Sequence, residues 1–205
     1  VSAPMVQFTM QPAETAGSGG QAPYNVLVED HAGSDTYRMK VEYSTDNLTW
    51  KRATLSGSLV DNGQDFQVGP IATSGGGVNL SLTWRSGTDL SGQEHNSVAL
   101  RLILDNFAGR SAQTISSGFV LDNKAPIVPA LLSPADNIET RDPTPLFIWQ
   151  GVEEGAVYQL QVDNHADFSS PIIDQPSLSG NAYAVLTPAP PAQYFWRVKA
   201  TDGMG

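Results

Sequence analysis

The sequence predicts an all-β protein built as two tandem sandwiches, the second lacking its last strand. Three observations carry that expectation. Apolar and aromatic residues alternate with polar ones in one short run after another, glycine- and asparagine-rich stretches separate the runs, and the pattern restarts near residue 125 with an internal repeat. Period-two alternation rich in β-branched and aromatic residues marks half-buried strands, and regular short strands joined by turn residues mark a sandwich.

In the first block Tyr24, Val26 and Val28 share one parity, followed by Tyr37, Met39, Val41 and Tyr43. Val78, Leu80, Leu82 and Trp84 come next, then Val98, Leu100, Leu102 and Leu104, and Phe119 and Leu121 close the block. Ala16-Gly17-Ser18-Gly19-Gly20, Asp61-Asn62-Gly63 and Ser74-Gly75-Gly76-Gly77 lie between the runs as turns. Their residues supply positive φ or local side-chain hydrogen bonds. No segment carries a capped apolar stripe at helical spacing. In the second block Phe147 and Trp149 form a strand, followed by Tyr158, Leu160 and Val162, then Tyr183 and Val185, then Tyr194, Trp196, Val198 and Ala200. Pro126 and Pro129 stiffen the junction and remove ladder donors there.

The repeat sets the expected boundaries at 1–124 and 125–205. Arg101-Leu102-Ile103-Leu104-Asp105-Asn106-Phe107-Ala108-Gly109 aligns without gaps to Arg197-Val198-Lys199-Ala200-Thr201-Asp202-Gly203-Met204-Gly205. Upstream, Val41-Glu42-Tyr43-Ser44 parallels Leu160-Gln161-Val162-Asp163, and each copy then reaches an aromatic, Trp50 or Phe168. The first copy is longer, so an insertion over roughly 58–81 is expected to add a loop or an edge strand. After Gly109 the first copy runs on into one more strand, Ile115 to Leu121, which the second copy lacks. Either the polypeptide continues or another chain donates that strand, as in a donor-strand homo-oligomer.

Composition excludes several functions. The 205 residues carry 11 basic and 21 acidic side chains, a net charge of −10 that disfavours nucleic acid, whose phosphates require clustered Lys and Arg. Zero cysteine removes disulfides, zinc–thiolate centres and cysteine nucleophiles together. No apolar stretch approaches the roughly 20 residues that span a bilayer, so no membrane insertion is expected in this segment, and no signal peptide is visible.

No catalytic constellation emerges, and no enzyme activity is expected. There is no Gly-x-Ser-x-Gly elbow and no phosphate loop. His31, His95 and His165 fall in expected loops without metal-ligand spacing. No resident cofactor is expected, with calcium the one candidate. Asp30 with Asp35 frames a loop, and Asp122 with Asn123 marks the exit of the first block. Hard cations take several oxygens from such loops, although Asp and Asn are as readily explained by turn chemistry. Trp84, Trp149 and Trp196 have inward parity and belong to cores, whereas Phe195 has outward parity and Phe107 lies in a turn. Leu146 and Ile148 alternate against Phe147 and Trp149, so with Phe195 they could form an apolar contact patch. The sequons Asn47-Leu48-Thr49 and Asn79-Leu80-Ser81 are short and neutral.

The second block resembles a bacterial fibronectin type III module, through Leu132-Ser133-Pro134-Ala135-Asp136-Asn137 and Thr144-Pro145-Leu146-Phe147-Ile148-Trp149. Tyr158 to Val162, Asp167-Phe168-Ser169-Ser170-Pro171 and Tyr194 to Gly203 continue the likeness. The resemblance implies a seven-stranded sandwich with Trp149 in the core and Tyr194 as a tyrosine-corner residue whose hydroxyl caps nearby backbone. The first block is similar to Ig-like modules of secreted bacterial proteins, through Val41 to Asp46 with Trp50, Leu82-Thr83-Trp84 with Thr88-Asp89-Leu90, and Val120 to Pro126. Val98 stands where its corner tyrosine would be. The Asp/Asn-rich exit is similar to the calcium-binding junctions of cadherins. Together these resemblances imply non-catalytic spacer and interaction modules of an extracellular or cell-surface protein, in a surface array, sheath or filament. Neighbouring modules of the same or a longer chain are the expected partners. The alternative is a polysaccharide-binding accessory region of a larger secreted enzyme.

Overall fold

A computed structural model describes residues 3–15, 18–31, 35–73, 76–153 and 155–202. The chain divides into two compact units, the first ending at Lys124 and the second beginning at Ala125. Both are antiparallel β-sandwiches, and the described residues contain a single turn of α-helix.

The first unit contains β1 (Met5–Met10), β2 (Ala22–Glu29), β3 (Thr36–Ser44), β4 (Lys51–Arg52), β5 (Leu55–Gly57), β6 (Val68–Ala72), β7 (Val78–Trp84), α1 (Ser86–Asp89), β8 (Glu94–Asn106), β9 (Ser111–Ile115) and β10 (Phe119–Asp122). One sheet has the order β1-β2-β7-β5. The other has the order β10-β8-β3-β4, with β6 also on β3 and β9 also on β8. Alternate residues of the four long strands meet in one core: Tyr24, Val26 and Val28; Leu80, Leu82 and Trp84; Tyr37, Met39, Val41 and Tyr43; and Leu100, Leu102 and Leu104. Trp84 sits at its centre, stacked on Tyr43 with ring centroids 5.0 Å apart and edge-on to Phe119 at 6.2 Å. Its indole N–H donates to Asp89 at 2.7 Å, and the same carboxylate accepts from the Thr54 N–H and hydroxyl. A polar atom thus enters the core with its partner supplied by the helical turn.

Three sequence expectations need correction here. The final strand expected over Ile115 to Leu121 is two strands, β9 and β10, which pair with different halves of the long β8. Ser116 makes the break: its N–H donates to the Leu100 carbonyl, and its hydroxyl accepts from the Leu100 N–H at 2.9 Å. The expected insertion over 58–81 overreaches at its C-terminal end, because residues from Val78 onward belong to the central strand β7. Its middle does form an edge strand, β6. The side chain of Gln67 anchors it by donating to the Val41 and Ala53 carbonyls and accepting from the Val41 N–H. Finally, His95 lies within β8 rather than in a loop.

The second unit contains β11 (Leu131–Ser133), β12 (Leu146–Trp149), β13 (Val157–Asp163), β14 (Ile173–Leu178), β15 (Ala182–Ala184) and β16 (Phe195–Thr201). Its sheets have the orders β11-β12-β15 and β14-β13-β16. Phe147, Trp149, Tyr158, Leu160, Val162 and Val198 form the core, and Phe147 meets Trp196 edge-on at 5.1 Å. Tyr194 donates its hydroxyl to the Pro190 carbonyl at 2.8 Å.

Gln67 is fully buried, so Gln67→Ala strands backbone groups of Val41 and Ala53 inside the first unit. The substitution is expected to cost that unit about 3 kcal/mol in urea unfolding, against less than about 0.5 kcal/mol for the exposed Gln113→Ala. Equal effects at the two positions would contradict the anchoring role.

Candidate interaction face

The outward residues of β3 and β8 are set opposite one another by the ladder that buries their alternates. Glu42 faces Arg101 and Arg38 faces Asp105. Arg101 donates through Nε to Glu42 at 2.9 Å and again through Nη2, and its guanidinium lies 4.4 Å from the Trp50 ring centre. Arg38 pairs with Asp105 through Nε at 3.0 Å and Nη2 at 2.9 Å. Its guanidinium is also stacked with Phe66 at 4.2 Å and Phe107 at 4.7 Å. The planar guanidinium permits this double use, in-plane to carboxylate and face-on to the rings. Lys40 bridges Glu42 and Asp65 between the two arginines. The result is an outer sheet face of paired opposite charges, Arg38 with Asp105 and Glu42 with Arg101, flanked by Trp50, Phe66 and Phe107.

The second unit repeats one of these assemblies at the positions matched by the sequence repeat. Arg197 faces Gln161 across the β13–β16 ladder, donates to the Gln161 Oε1 at 2.8 and 2.6 Å, and lies 4.2 Å from the Phe168 ring centre. The trio Glu42, Trp50 and Arg101 thus corresponds member by member to Gln161, Phe168 and Arg197, with glutamine in place of glutamate. The sequence repeat aligns all three positions but does not show that they meet. The usable signal is an arginine shared by both copies of the repeat together with an aromatic in the loop that follows the facing strand.

Asp30 and Asp35, candidates for calcium, are instead brought together by a guanidinium. Arg110 donates to Asp30 at 2.7 and 2.9 Å and to Asp35 at 2.6 Å. Tyr37 donates to Asp30, and Asn106 donates to Asp35. The Asp30 side chain is fully buried, and the Arg110 guanidinium supplies its counter-charge at the position where calcium was one candidate. Burial, followed by the hydrogen bond to Asp30, pushes the Tyr37 hydroxyl up to about 12. Asp122 and Asn123 lie elsewhere. The Lys124 N–H donates to the Asp122 carboxylate, and the Asp122 N–H donates to the buried Glu14, which also takes the Ser86 hydroxyl. Among the described residues no three carboxylates or histidines are grouped to hold a metal ion.

The expected apolar patch is split. Leu146 and Ile148 face Ala184 and Ala182 on the outside of the β11-β12-β15 sheet, whereas Phe195 belongs to β16 in the other sheet. Trp196, inward beside it, touches Phe147 across the core, so Phe195 points to the opposite side of the sandwich. Phe107 is 78 % exposed, as its turn position predicts, and forms part of the Arg38 stack.

A polar cleft at the end of β3 is lined by Tyr43, Ser44, Asp46, Thr49, Lys51 and Gln93. N–H donation from Thr49 and Leu48, then the Ser44 hydroxyl, holds the Asp46 carboxyl at about 2.

The fold defines the chain as a tandem pair of antiparallel all-β sandwiches. No protein-family description matches it, and no curated protein matches it. Among solved structures it is similar to a chimeric titin Z1Z2 functionalized with a KLER exogenous peptide from decorin. That alignment covers 100 % of this chain and 93 % of the other at 14 % identity and a TM-score of 0.31, a likeness too slight to bear on function.

A double-mutant cycle on Arg101→Ala and Trp50→Ala is expected to give a coupling of about 0.5–1 kcal/mol in the stability of the first unit. Additive effects would show that the stack does not hold the two side chains together. For Asp46, a carboxyl ¹³C titration is expected to show a midpoint near 2. With its folded value depressed, the stabilisation Asp46 provides is present above its unfolded value near 4 and is lost as pH falls toward 2. A midpoint at the ordinary aspartate value would contradict the turn geometry.

Proposed function

We propose that the chain is a non-catalytic pair of spacer and interaction modules from a secreted or cell-surface bacterial protein, working without a bound cofactor. One observation carries the reading. The same arginine–aromatic–acceptor assembly recurs at matched positions on the outer faces of both units, as expected of one module used twice. The fibronectin type III resemblance of the second unit supports the bacterial extracellular context, and the Tyr194 hydrogen bond to Pro190 agrees with it. In this reading each core supplies rigidity, Pro126 and Pro129 stiffen the joint, and the acidic surface discourages non-specific association. The outer sheet faces then serve as contact surfaces for neighbouring modules. The polar cleft beside Lys51 and the exposed Phe107 favour the second reading, a polysaccharide-binding accessory region.

The spacer reading is tested by spin labels at Gln113→Cys and Ser177→Cys, with the distance between them read by pulsed electron resonance. A narrow distribution that broadens in the Pro126→Gly/Pro129→Gly variant is expected. A broad distribution in the parent chain would contradict a set spacing. Saccharide binding on a glycan array that is lost in Phe107→Ala would favour the accessory reading instead.

A further inference from the structure

The two units differ in what one of their sheets shows to the outside. In the first unit the outward positions of β2 and β7 hold Asn25, Leu27 and Glu29 beside Asn79, Ser81 and Thr83, a mostly polar face. In the second unit none of the residues of β11, β12 and β15 is charged. The register sets Leu146 beside Ala184 and Ile148 beside Ala182, and these four side chains alternate with Phe147, Trp149 and Tyr183, which turn to the core. Leu146 is 47 % exposed, both alanines are exposed, and Leu132 adds an exposed apolar side chain from β11. The feature is a sheet face, so it does not depend on unpaired backbone groups.

Shape and charge select the occupant. On this face β12 is a ridge of two large side chains and β15 a trough of two small ones, side by side. A two-fold axis parallel to the strands, between β12 and β15, lays Leu146 and Ile148 of each copy over Ala184 and Ala182 of the other. Ridge then fills trough twice, which is the self-complementarity an isologous contact requires. Charge points the same way. The chain carries a net charge of −10, and its second unit holds nine acidic and three basic side chains, so two copies repel wherever charged surfaces approach. A face free of charge is where they meet at the least cost. We infer that the outer face of β11-β12-β15 is a self-association surface that packs on the same face of a second copy of this chain. Three strands about 4.8 Å apart cover less than the ~800 Å² that a stable interface buries per partner, so a dissociation constant on the order of 0.1–1 mM is expected. Contacts this weak suit modules held in an array, where many act together. The inference rests on the interaction-module reading above and names its partner.

Sedimentation equilibrium of the full chain, from about 10 µM to about 1 mM, tests it. Reversible dimers are expected, tightened about threefold or more when added salt screens the repulsion between acidic surfaces. Leu146→Glu is expected to weaken them at least about tenfold with the thermal midpoint unchanged, because it buries an unpaired charge in the contact and not in the core. Gln113→Glu, which adds the same charge on an exposed position of the first unit, is expected to leave them within about twofold. The chain has no cysteine, so Leu146→Cys chains mixed with Ala184→Cys chains can be joined by a short bismaleimide. That mixture is expected to yield more cross-linked product than Leu146→Cys mixed with Gln113→Cys. A chain that stays monomeric to about 1 mM, the result expected if a different protein covers this face, overturns the inference. So do dimers that salt weakens, dimers that Leu146→Glu leaves intact, and equal cross-linking of the two mixtures. None of these results alters the spin-label distances measured at low concentration, on which the spacer reading stands.

Discussion

The antiparallel register between the two inner strands of one sheet is the constraint on which the rest depends. In the first unit that pair is β3 and β8, matched from Tyr37 opposite Asn106 to Ser44 opposite Ala99. Since side chains alternate strictly, the register that buries Val41 against Leu102 also places Glu42 opposite Arg101 on the outside. A slip of one residue would expose the apolar set and bury Arg38, Lys40 and Arg101 together. The outer face is therefore a consequence of the core. The second unit uses the same device, with Leu160 opposite Val198 inside and Gln161 opposite Arg197 outside.

That shared frame explains how differently the two units treat charge. In the first unit Asp30, Asp35, Glu42 and Asp105 lie against guanidinium groups, while Glu14, Asp46 and Asp89 take neutral donors; Arg110 draws Asp30 and Asp35 together although 80 residues separate it from Asp30. The second unit has few cations, and its acids are held by neutral donors. Asp163 accepts from the Ser170 and His165 N–H groups, and Asp174 accepts from Gln159 and Gln161. The replacement of Glu42 by Gln161 at the matched position follows the same economy.

Legibility in the sequence tracked the strength of alternation. β2, β3, β7 and β8 were readable because each carries three or four consecutive inward apolar residues between turn signals. β1 is not legible because Met5–Met10 has one fully inward position, Val6. β14 is not legible because Pro176 and its polar neighbours Asp174, Gln175 and Ser177 mask its period. The split between β9 and β10 depends on the Ser116 hydroxyl replacing a backbone acceptor, a local choice that alternation does not record. The site was less legible than the fold. The members of the Arg101 assembly were visible one by one, but their meeting depends on the turn that returns Trp50 to the strand face. The Asp30–Arg110 cluster is non-local and carries no spacing signal at all.

The central claim is that both units share one two-strand frame, in which β8 is flanked on both sides while β16, among the described residues, pairs with β13 alone. Residue-resolved amide hydrogen exchange on the free chain tests it most directly. Over Arg101–Asp105 of β8, flanked on both sides, every amide is expected to be protected. Along Phe195–Thr201 of β16, protection is expected at alternate amides only, those directed at β13. Uniform protection along β16, or alternating protection along β8, would contradict the account.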